Sequence, residues 1–121
     1  MEYKSRKIVM PADLNGNQTL FGGKALAWID EESAIYAACQ LNTANIVTKA
    51  MSNINFIHPA HIGDIIEIGT KLVRVGRTSI TVKCTMRNKT TAQEIITVDE
   101  ITFVHIDHDG KPTPHNVRYG T

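Results

Sequence analysis

One carboxylate, Asp30, and two glycines, Gly22 and Gly23, are the residues of this sequence whose types and spacing best suit chemistry. From Gly23 to Leu41 there is no proline and no further glycine, which is typical of one long helix. The first turn of a helix has unpaired N–H groups at the positive end of its dipole, and glycine lets a ligand approach that backbone closely. A carboxylate about two turns further along the same face is suited to act as a base or nucleophile. Together these groups suit acyl transfer, in which an oxyanion forms beside backbone donors.

We predict that Asp30 lies on the apolar side of a mostly buried helix. At about 100° per residue, its neighbours on the helix surface are all apolar: Leu26, Ala34, Ala37 and Leu41. Burying a carboxylate among such neighbours is costly unless the protein uses it. We therefore predict that Asp30 is the reactive group, and the alternative is a solvated surface carboxylate.

A second candidate binding element is the turn Gly76–Ser79, which contains an arginine and two hydroxyls. Such a turn suits a phosphate group, and a plain hairpin turn is the alternative. His105 and His108 lie close to two aspartates, but their odd spacing in a strand puts them on opposite faces. We therefore predict no metal site.

Composition limits the remaining possibilities. The chain has 121 residues and a net charge of +1, which favours a single domain over residues 1–121 and gives no basic field for nucleic acid. The apolar runs are far shorter than a membrane span, and no secretory signal opens the chain, so we expect a cytoplasmic protein that does not enter membranes. Cys39 and Cys84 belong to no CxxC pair and are predicted to be buried free thiols.

The pattern of apolar residues predicts the elements that position these groups. It indicates a strand at 3–10, a polar loop at 11–19, the helix at 23–41, four strands at 46–57, 65–75, 79–88 and 94–106, and a loose polar tail from 111. Consecutive strands joined by short turns form an antiparallel meander. A long apolar helix before such a sheet must pack on its face, so we predict an α+β fold with one central helix wrapped by a curved antiparallel sheet.

Motifs along nearly the whole chain resemble those of the hot-dog fold acyl-CoA thioesterases, in particular the cytosolic acyl-CoA hydrolases and their short bacterial relatives. The matching segments are Asn15-Gly16, Leu20-Phe21-Gly22-Gly23, Trp28-Ile29-Asp30-Glu31, Ile46-Val47-Thr48, Asn55-Phe56-Ile57-His58-Pro59, Gly63-Asp64, Val75-Gly76-Arg77-Thr78-Ser79 and Thr102-Phe103-Val104. The resemblance implies at least a homodimer with sheets joined edge to edge, further assembly into a trimer of dimers, and active sites shared between subunits.

The resemblance also implies residue roles. Asp30 matches the catalytic carboxylate, Asn15 the loop asparagine near it, and Gly23 the backbone donor that polarises the thioester carbonyl. Coenzyme A enters only as part of substrate and product, and its contacts are expected from Gly22, Asn55, Phe56, Gly76, Arg77, Thr78 and Ser79. The position of Asn55 is often acidic in relatives, so no acid-dependent role is assigned to it.

The implied reaction is hydrolysis of acyl-CoA, with Asp30 either activating water or attacking the carbonyl to give an anhydride. Three alternatives remain, of which a purely structural small domain would leave Asp30 unexplained. A hot-dog dehydratase generally uses a histidine paired with the acid, and no histidine lies in the helix or in the loop before it. A non-catalytic acyl-CoA-binding module would keep the glycines and the turn but would not need Asp30.

Overall fold

A computed structural model describes residues 1–118, in which one long helix packs on a five-stranded antiparallel sheet. The elements are β1 (Glu2–Ile8), a short 3-10 turn (Pro11–Asp13), α1 (Gly22–Leu41), β2 (Ile46–Phe56), β3 (Ile65–Val75), β4 (Ser79–Asn88) and β5 (Glu94–His105). The predicted α+β class is therefore confirmed, and each predicted boundary lies within two residues of the observed one.

Helix α1 is buried along one stripe only. Its buried residues recur at every fourth position: Ala25, Ile29, Ser33, Ala37 and Leu41. The prediction of a mostly buried helix is wrong, because only one side of α1 meets the sheet. The helix ends at Asn42, whose left-handed φ of 56° lets its N–H bond to the carbonyl of Ala38.

The order of strands in the sheet is β1-β3-β4-β5-β2. The predicted meander is confirmed for β3, β4 and β5, but β2 pairs with β5 rather than with β3. The link between β2 and β3 does not form a hairpin, because its first N–H groups, from Ile57 and His58, bond to the carbonyl of Ile95 on β5. The link therefore crosses the end of the sheet and leaves β2 as an edge strand.

The inner face of the sheet forms the core against α1. Its fully buried large side chains include Ile66, Ile80, Val82, Met86, Val98, Ile101 and Phe103. Removing such side chains from water supplies most of the stability of a domain of this size.

The opposite face of the sheet carries a buried ion network centred on Glu67, which is only 4% exposed. Arg87 Nε and Nη2 lie 2.8 and 2.7 Å from Glu67 Oε1, and Arg6 Nε lies 3.3 Å from Oε2. Burial by itself raises the pKa of Glu67, but the hydrogen bonds from the two arginines outweigh burial and hold that pKa below its usual value. The Arg87 guanidinium also lies 3.6 Å from the centre of the Tyr3 ring.

Two local predictions are corrected by the structure. Cys84 is buried as predicted, and burial raises the pKa of its thiol to about 11, but Cys39 is exposed because it lies off the buried stripe of α1. The segment after Lys111 is not loose, at least to residue 118. It forms a bridge between Ile106 and Pro112, and Val117 packs against the core.

Candidate active site

Asp30 is held at the junction of α1 and the edge strand β2. Its side chain is half-buried, and Thr48 Oγ1 donates a hydrogen bond of 2.7 Å to Asp30 Oδ1. Thr48 faces the helix because it pairs across the sheet with Phe103, which is fully buried. Asp30 therefore does not lie among the buried apolar residues as predicted, but it is not a freely solvated carboxylate either.

The helix begins without a side-chain cap. Its first intrahelical bond runs from the N–H of Ala25 to the carbonyl of Phe21, at 3.0 Å. The N–H groups of Gly22, Gly23 and Lys24 therefore have no acceptor within the helix, and they mark its positive end. This geometry is the anion-binding arrangement that the sequence predicts.

Two aromatic rings lie close to the glycines at the helix start, so a larger residue there would have to displace them. A Cβ on Gly22 would lie 3.1 Å from Phe56 Cε1, and a Cβ on Gly23 would lie 2.9 Å from Phe21 Cε2. Phe56 and Phe21 are 58% and 55% exposed, so this end of the helix presents an apolar surface beside its free N–H groups.

Asn15 shapes the loop that leads into the helix. Its Oδ1 accepts hydrogen bonds from the N–H groups of Asn17 (2.9 Å) and Thr19 (3.1 Å), and its Nδ2 donates to Thr19 Oγ1 at 3.0 Å. These bonds hold Gln18 at a left-handed φ of 62°. Within the chain the Asn15 side chain thus orders the loop, and it makes no bond to Asp30.

A cavity of about 320 Å³ lies at the helix start. Its lining brings together three predicted site residues, Asn15, Gly22 and Phe56, with Leu20, Ala25, His58 and Ile96 among others. Asn55 is not part of it, because alternate residues of β2 face opposite sides of the sheet, and its Nδ2 instead donates to the carbonyl of Asn53 at 3.2 Å. Asp30 is not part of this cavity either. Along the helix it lies about 10 Å from Gly23, at 1.5 Å per residue.

A larger groove of about 680 Å³ contains the predicted phosphate-binding turn. One wall is the end of β3 with Gly76 and Arg77, and the other is the segment Pro114–Arg118. Thr78 and Ser79 complete the turn, which is closed by a 3.0 Å bond from the Gly76 N–H to the Ser79 carbonyl. A Cβ on Gly76 would clash with Ser79 Oγ.

The charge of the groove is positive. Among the lining residues that the structure describes are Arg74, Arg77 and Arg118, and none of those described is a carboxylate. Arg74 is already paired with Glu100 through bonds of 2.6 and 3.1 Å, which leaves Arg77 and Arg118 as the cations for an anionic ligand.

Three features of these sites were not predicted from the sequence. Thr48 belongs to the matching segment Ile46-Val47-Thr48, but nothing local in the sequence marks its bond to Asp30, which lies 18 residues earlier. His58 lines the smaller cavity, with its Nδ1 2.9 Å from the carbonyl of Glu94. The wall formed by Pro114–Arg118 had no sequence signal, because that segment is polar and lacks periodicity.

Within residues 1–118, no group of three or more His, Cys, Asp or Glu is arranged to hold a metal ion. In the same part of the chain, no helix combines the length and apolarity needed to cross a membrane.

Comparisons with known proteins agree with the resemblance seen in the sequence. The family model described as the thioesterase superfamily matches residues 17–95. The acyl-CoA thioester hydrolase YciA of Salmonella typhimurium is 32% identical over 115 residues, which is 90% of this chain and 86% of that protein. An uncharacterized acyl-CoA thioester hydrolase of Haemophilus influenzae is 33% identical over 112 residues, or 88% of this chain and 72% of that protein.

Solved structures give the same result for the fold. A hexameric hotdog fold thioesterase of Campylobacter jejuni matches with a TM-score of 0.82 and 32% identity, covering 94% of this chain and 90% of that one. A hexameric thioesterase from Yersinia pestis matches with a TM-score of 0.86 and 28% identity, covering 93% of each chain. The predicted hot-dog fold is confirmed.

Proposed function

Because the chain belongs to the thioesterase superfamily, we propose that it hydrolyses acyl-CoA to a carboxylic acid and free coenzyme A, at a site shared by two copies of the chain. The observation that carries this proposal is Asp30, oriented by Thr48 beside an edge strand, in a chain whose helix start has unpaired N–H groups. A module that only bound acyl-CoA would not need an oriented carboxylate at this place.

In the proposed reaction the Gly23 N–H, with the helix dipole, binds the thioester oxygen. Asp30 removes a proton from water, and the water oxygen bonds to the carbonyl carbon to give a tetrahedral oxyanion. The oxyanion then collapses, the C–S bond breaks, and the thiolate of coenzyme A takes the proton back. Removing one oxyanion donor typically lowers kcat by about 10²–10³, so this donor and the base together account for a large part of such catalysis.

Asp30 acting as a nucleophile remains the second form of this mechanism. The carboxylate oxygen would then bond to the carbonyl carbon, expel the thiolate, and leave an anhydride that water opens. A single turnover in ¹⁸O-water can reveal the anhydride form. Direct attack of water on the thioester never labels the protein, whereas water attack on the Asp30 carbonyl of the anhydride places the label in Asp30, so label found in Asp30 establishes the nucleophilic form.

A second copy of the chain is needed because one copy keeps the two halves of the site apart. At the helix start Gly22 lines the smaller cavity, which neither Gly23 nor Asp30 lines. Asp30 instead lies next to β2, an edge strand that pairs, among the strands of residues 1–118, only with β5 and is exposed over most of its length. We propose that β2 joins β2 of a second copy, which covers both edges and brings Asp30 of one copy to Gly23 and Asn15 of the other.

Hexameric relatives support further assembly into a trimer of dimers. In such an assembly we place the phosphates of coenzyme A against Arg77 in the larger groove, with the turn from Gly76 to Ser79 supplying N–H and hydroxyl donors. The acyl chain would enter between the helix start and Phe56. Light scattering tests this arrangement, since it predicts a mass of two or six chains.

The experiment that tests the function is a thiol-release assay with butyryl-, lauroyl- and palmitoyl-CoA. We expect turnover by the wild type and a loss of at least about 10²-fold in Asp30→Asn, which is nearly isosteric and should preserve the fold. Glu31→Gln, one residue away and exposed, is the matched control and should keep full activity. A wild type that releases no thiol from any of these esters, or an Asp30→Asn variant as active as the control, would refute the proposal.

A further inference from the structure

Two histidines that the proposed mechanism does not use form hydrogen bonds to the backbone of the turn Arg77–Ser79. The His105 N–H donates to the Thr78 carbonyl at 2.7 Å, and the His115 N–H donates to the Arg77 carbonyl at 3.3 Å. His115 Nε2 lies 3.0 Å from the Ser79 carbonyl. Each of the three carbonyls of the turn therefore accepts a hydrogen bond from one of these two residues, and only the bond to Ser79 comes from a histidine side chain.

The hydrogen bonds of His115 define its tautomer. The Val117 N–H donates to His115 Nδ1 at 3.0 Å, so Nδ1 must carry a lone pair. In a neutral imidazole the proton then lies on Nε2, which donates it to the carbonyl of Ser79. The ring thus bridges two elements, since one nitrogen accepts from the tail segment and the other donates to the turn.

His105 forms hydrogen bonds to the other end of the tail segment, which we define as residues 112–118. The Thr113 N–H donates to the His105 carbonyl at 2.9 Å, and His105 Nδ1 lies 3.0 Å from the Thr113 carbonyl. The two imidazole rings are 6.4 Å apart between centroids, at an angle of 66°. The tail segment is thereby held along the turn and forms the second wall of the larger groove.

We propose that His115 is a positioning residue for coenzyme A recognition. It holds the turn from Gly76 to Ser79 in one conformation and fixes the tail segment as the opposite wall of the groove. This inference rests on the proposed function, because it takes the turn as the contact for coenzyme A. The part of coenzyme A bound there does not react, so the turn contributes equally to ground-state and transition-state binding.

His115 therefore affects KM and leaves kcat unchanged. His115→Phe keeps the size of the ring but loses both side-chain hydrogen bonds, and we expect KM for acyl-CoA to rise about tenfold while kcat stays within about twofold of the wild type. His115→Gln retains an amide donor for the Ser79 carbonyl and loses only the acceptor for Val117. We therefore expect the KM of His115→Gln to lie only about threefold above that of the wild type, which on a logarithmic scale is about half of the rise expected for His115→Phe.

The matched control is His108→Phe, because the His108 side chain is 90% exposed on the turn after β5. Its kinetics should equal those of the wild type. The same variants are also compared by calorimetry with coenzyme A alone, which needs no turnover. Weaker binding by His115→Phe with partial recovery by His115→Gln supports the inference, even for a chain that hydrolyses no ester.

Two results would overturn the inference: an unchanged KM in His115→Phe, whether or not kcat falls, or a KM of His115→Gln no lower than that of His115→Phe. A wild type that binds coenzyme A tightly without hydrolysing its esters refutes only the proposed function. If His115→Phe does not fold, the comparison of KM between His115→Gln and the wild type decides the question. Equal KM values in these two proteins would contradict the positioning role of the His115 ring.

Discussion

Replacing Thr48 by valine removes the hydrogen bond that orients Asp30 and changes almost nothing else. Valine has nearly the volume of threonine and suits a strand at least as well, so β2 should form normally. The lost bond joins a hydroxyl to a carboxylate at 2.7 Å. Bonds to charged groups contribute about 1.5–3 kcal/mol, and the lower value applies here because both residues are partly exposed.

If the free energy of this hydrogen bond holds Asp30 in its reactive orientation, loss of the bond raises the activation free energy of the reaction by about 1.4 kcal/mol and lowers kcat about tenfold. KM should change little, because Thr48 is not part of the groove proposed for coenzyme A. The assay is steady-state thiol release from butyryl-CoA, with thermal unfolding as a check on the fold.

The matched control is Thr97→Val, since Thr97 lies on the neighbouring strand β5 and faces the opposite side of the sheet. The control should keep the wild-type kcat. A Thr48→Val variant with kcat within twofold of the wild type, or a control that loses as much activity, would refute the idea that Thr48 orients the reactive group.

Three further predictions concern other parts of the chain. Arg77→Ala should raise KM for acyl-CoA more than it lowers kcat, and an unchanged KM would mean that Arg77 only shapes the turn. Glu67→Gln should lower Tm by roughly 5 °C at pH 7. Because the pKa of Glu67 is lower in the folded protein than in the unfolded chain, the charged carboxylate stabilises the fold fully above its unfolded pKa, and that stabilisation is lost as the pH falls through its folded pKa. The difference in Tm between the wild type and Glu67→Gln should therefore become smaller in acid. In a thiol-reagent titration at neutral pH, the native protein should show only one reactive thiol, that of the exposed Cys39, and Cys84 should react only after denaturation, because its thiol is buried and its pKa is about 11. Rapid reaction of both thiols in the native protein would show that the core opens.

The sequence predicted those elements that local chemistry defines. The first strand ends at Ile8, shortly before Pro11, the two glycines and Asn42 delimit the helix, and glycine at residue 76 marks the β3–β4 turn. The α+β class follows from that order, because a single helix before a run of strands has only the sheet to cover it. The glycine pair also predicted a helix start with free N–H groups, which is what the structure has.

The features that were missed depend on contacts between distant parts of the chain. The position of β2 beside β5 follows from how the link after Phe56 crosses the sheet, and no local pattern of apolar residues encodes that path. Thr48 reaches Asp30 across 18 residues of sequence, so their bond depends on the register of β2. The tail segment docks through backbone hydrogen bonds and His115, which hydrophobic periodicity cannot reveal.

The face of the helix on which Asp30 lies was only partly predicted. Leu26 and Ala34 do pack against the core, as expected for its neighbours, but the buried stripe passes beside Asp30 through Ile29 and Ser33. A helical projection at 100° per residue shows which residues share a side. It does not show how much of that side the sheet covers.

At the centre of the proposed function, the carboxylate of one copy works with the helix start of another copy. Complementation between two inactive chains tests it directly. Asp30→Asn and Asn15→Ala chains are unfolded together, refolded as a mixture, and assayed for thiol release from acyl-CoA, with each variant refolded alone as the reference. A shared site predicts that mixed dimers regain activity, because one of their two sites then contains both native residues. A mixture no more active than its separate components, although mass analysis shows mixed dimers, would contradict the account.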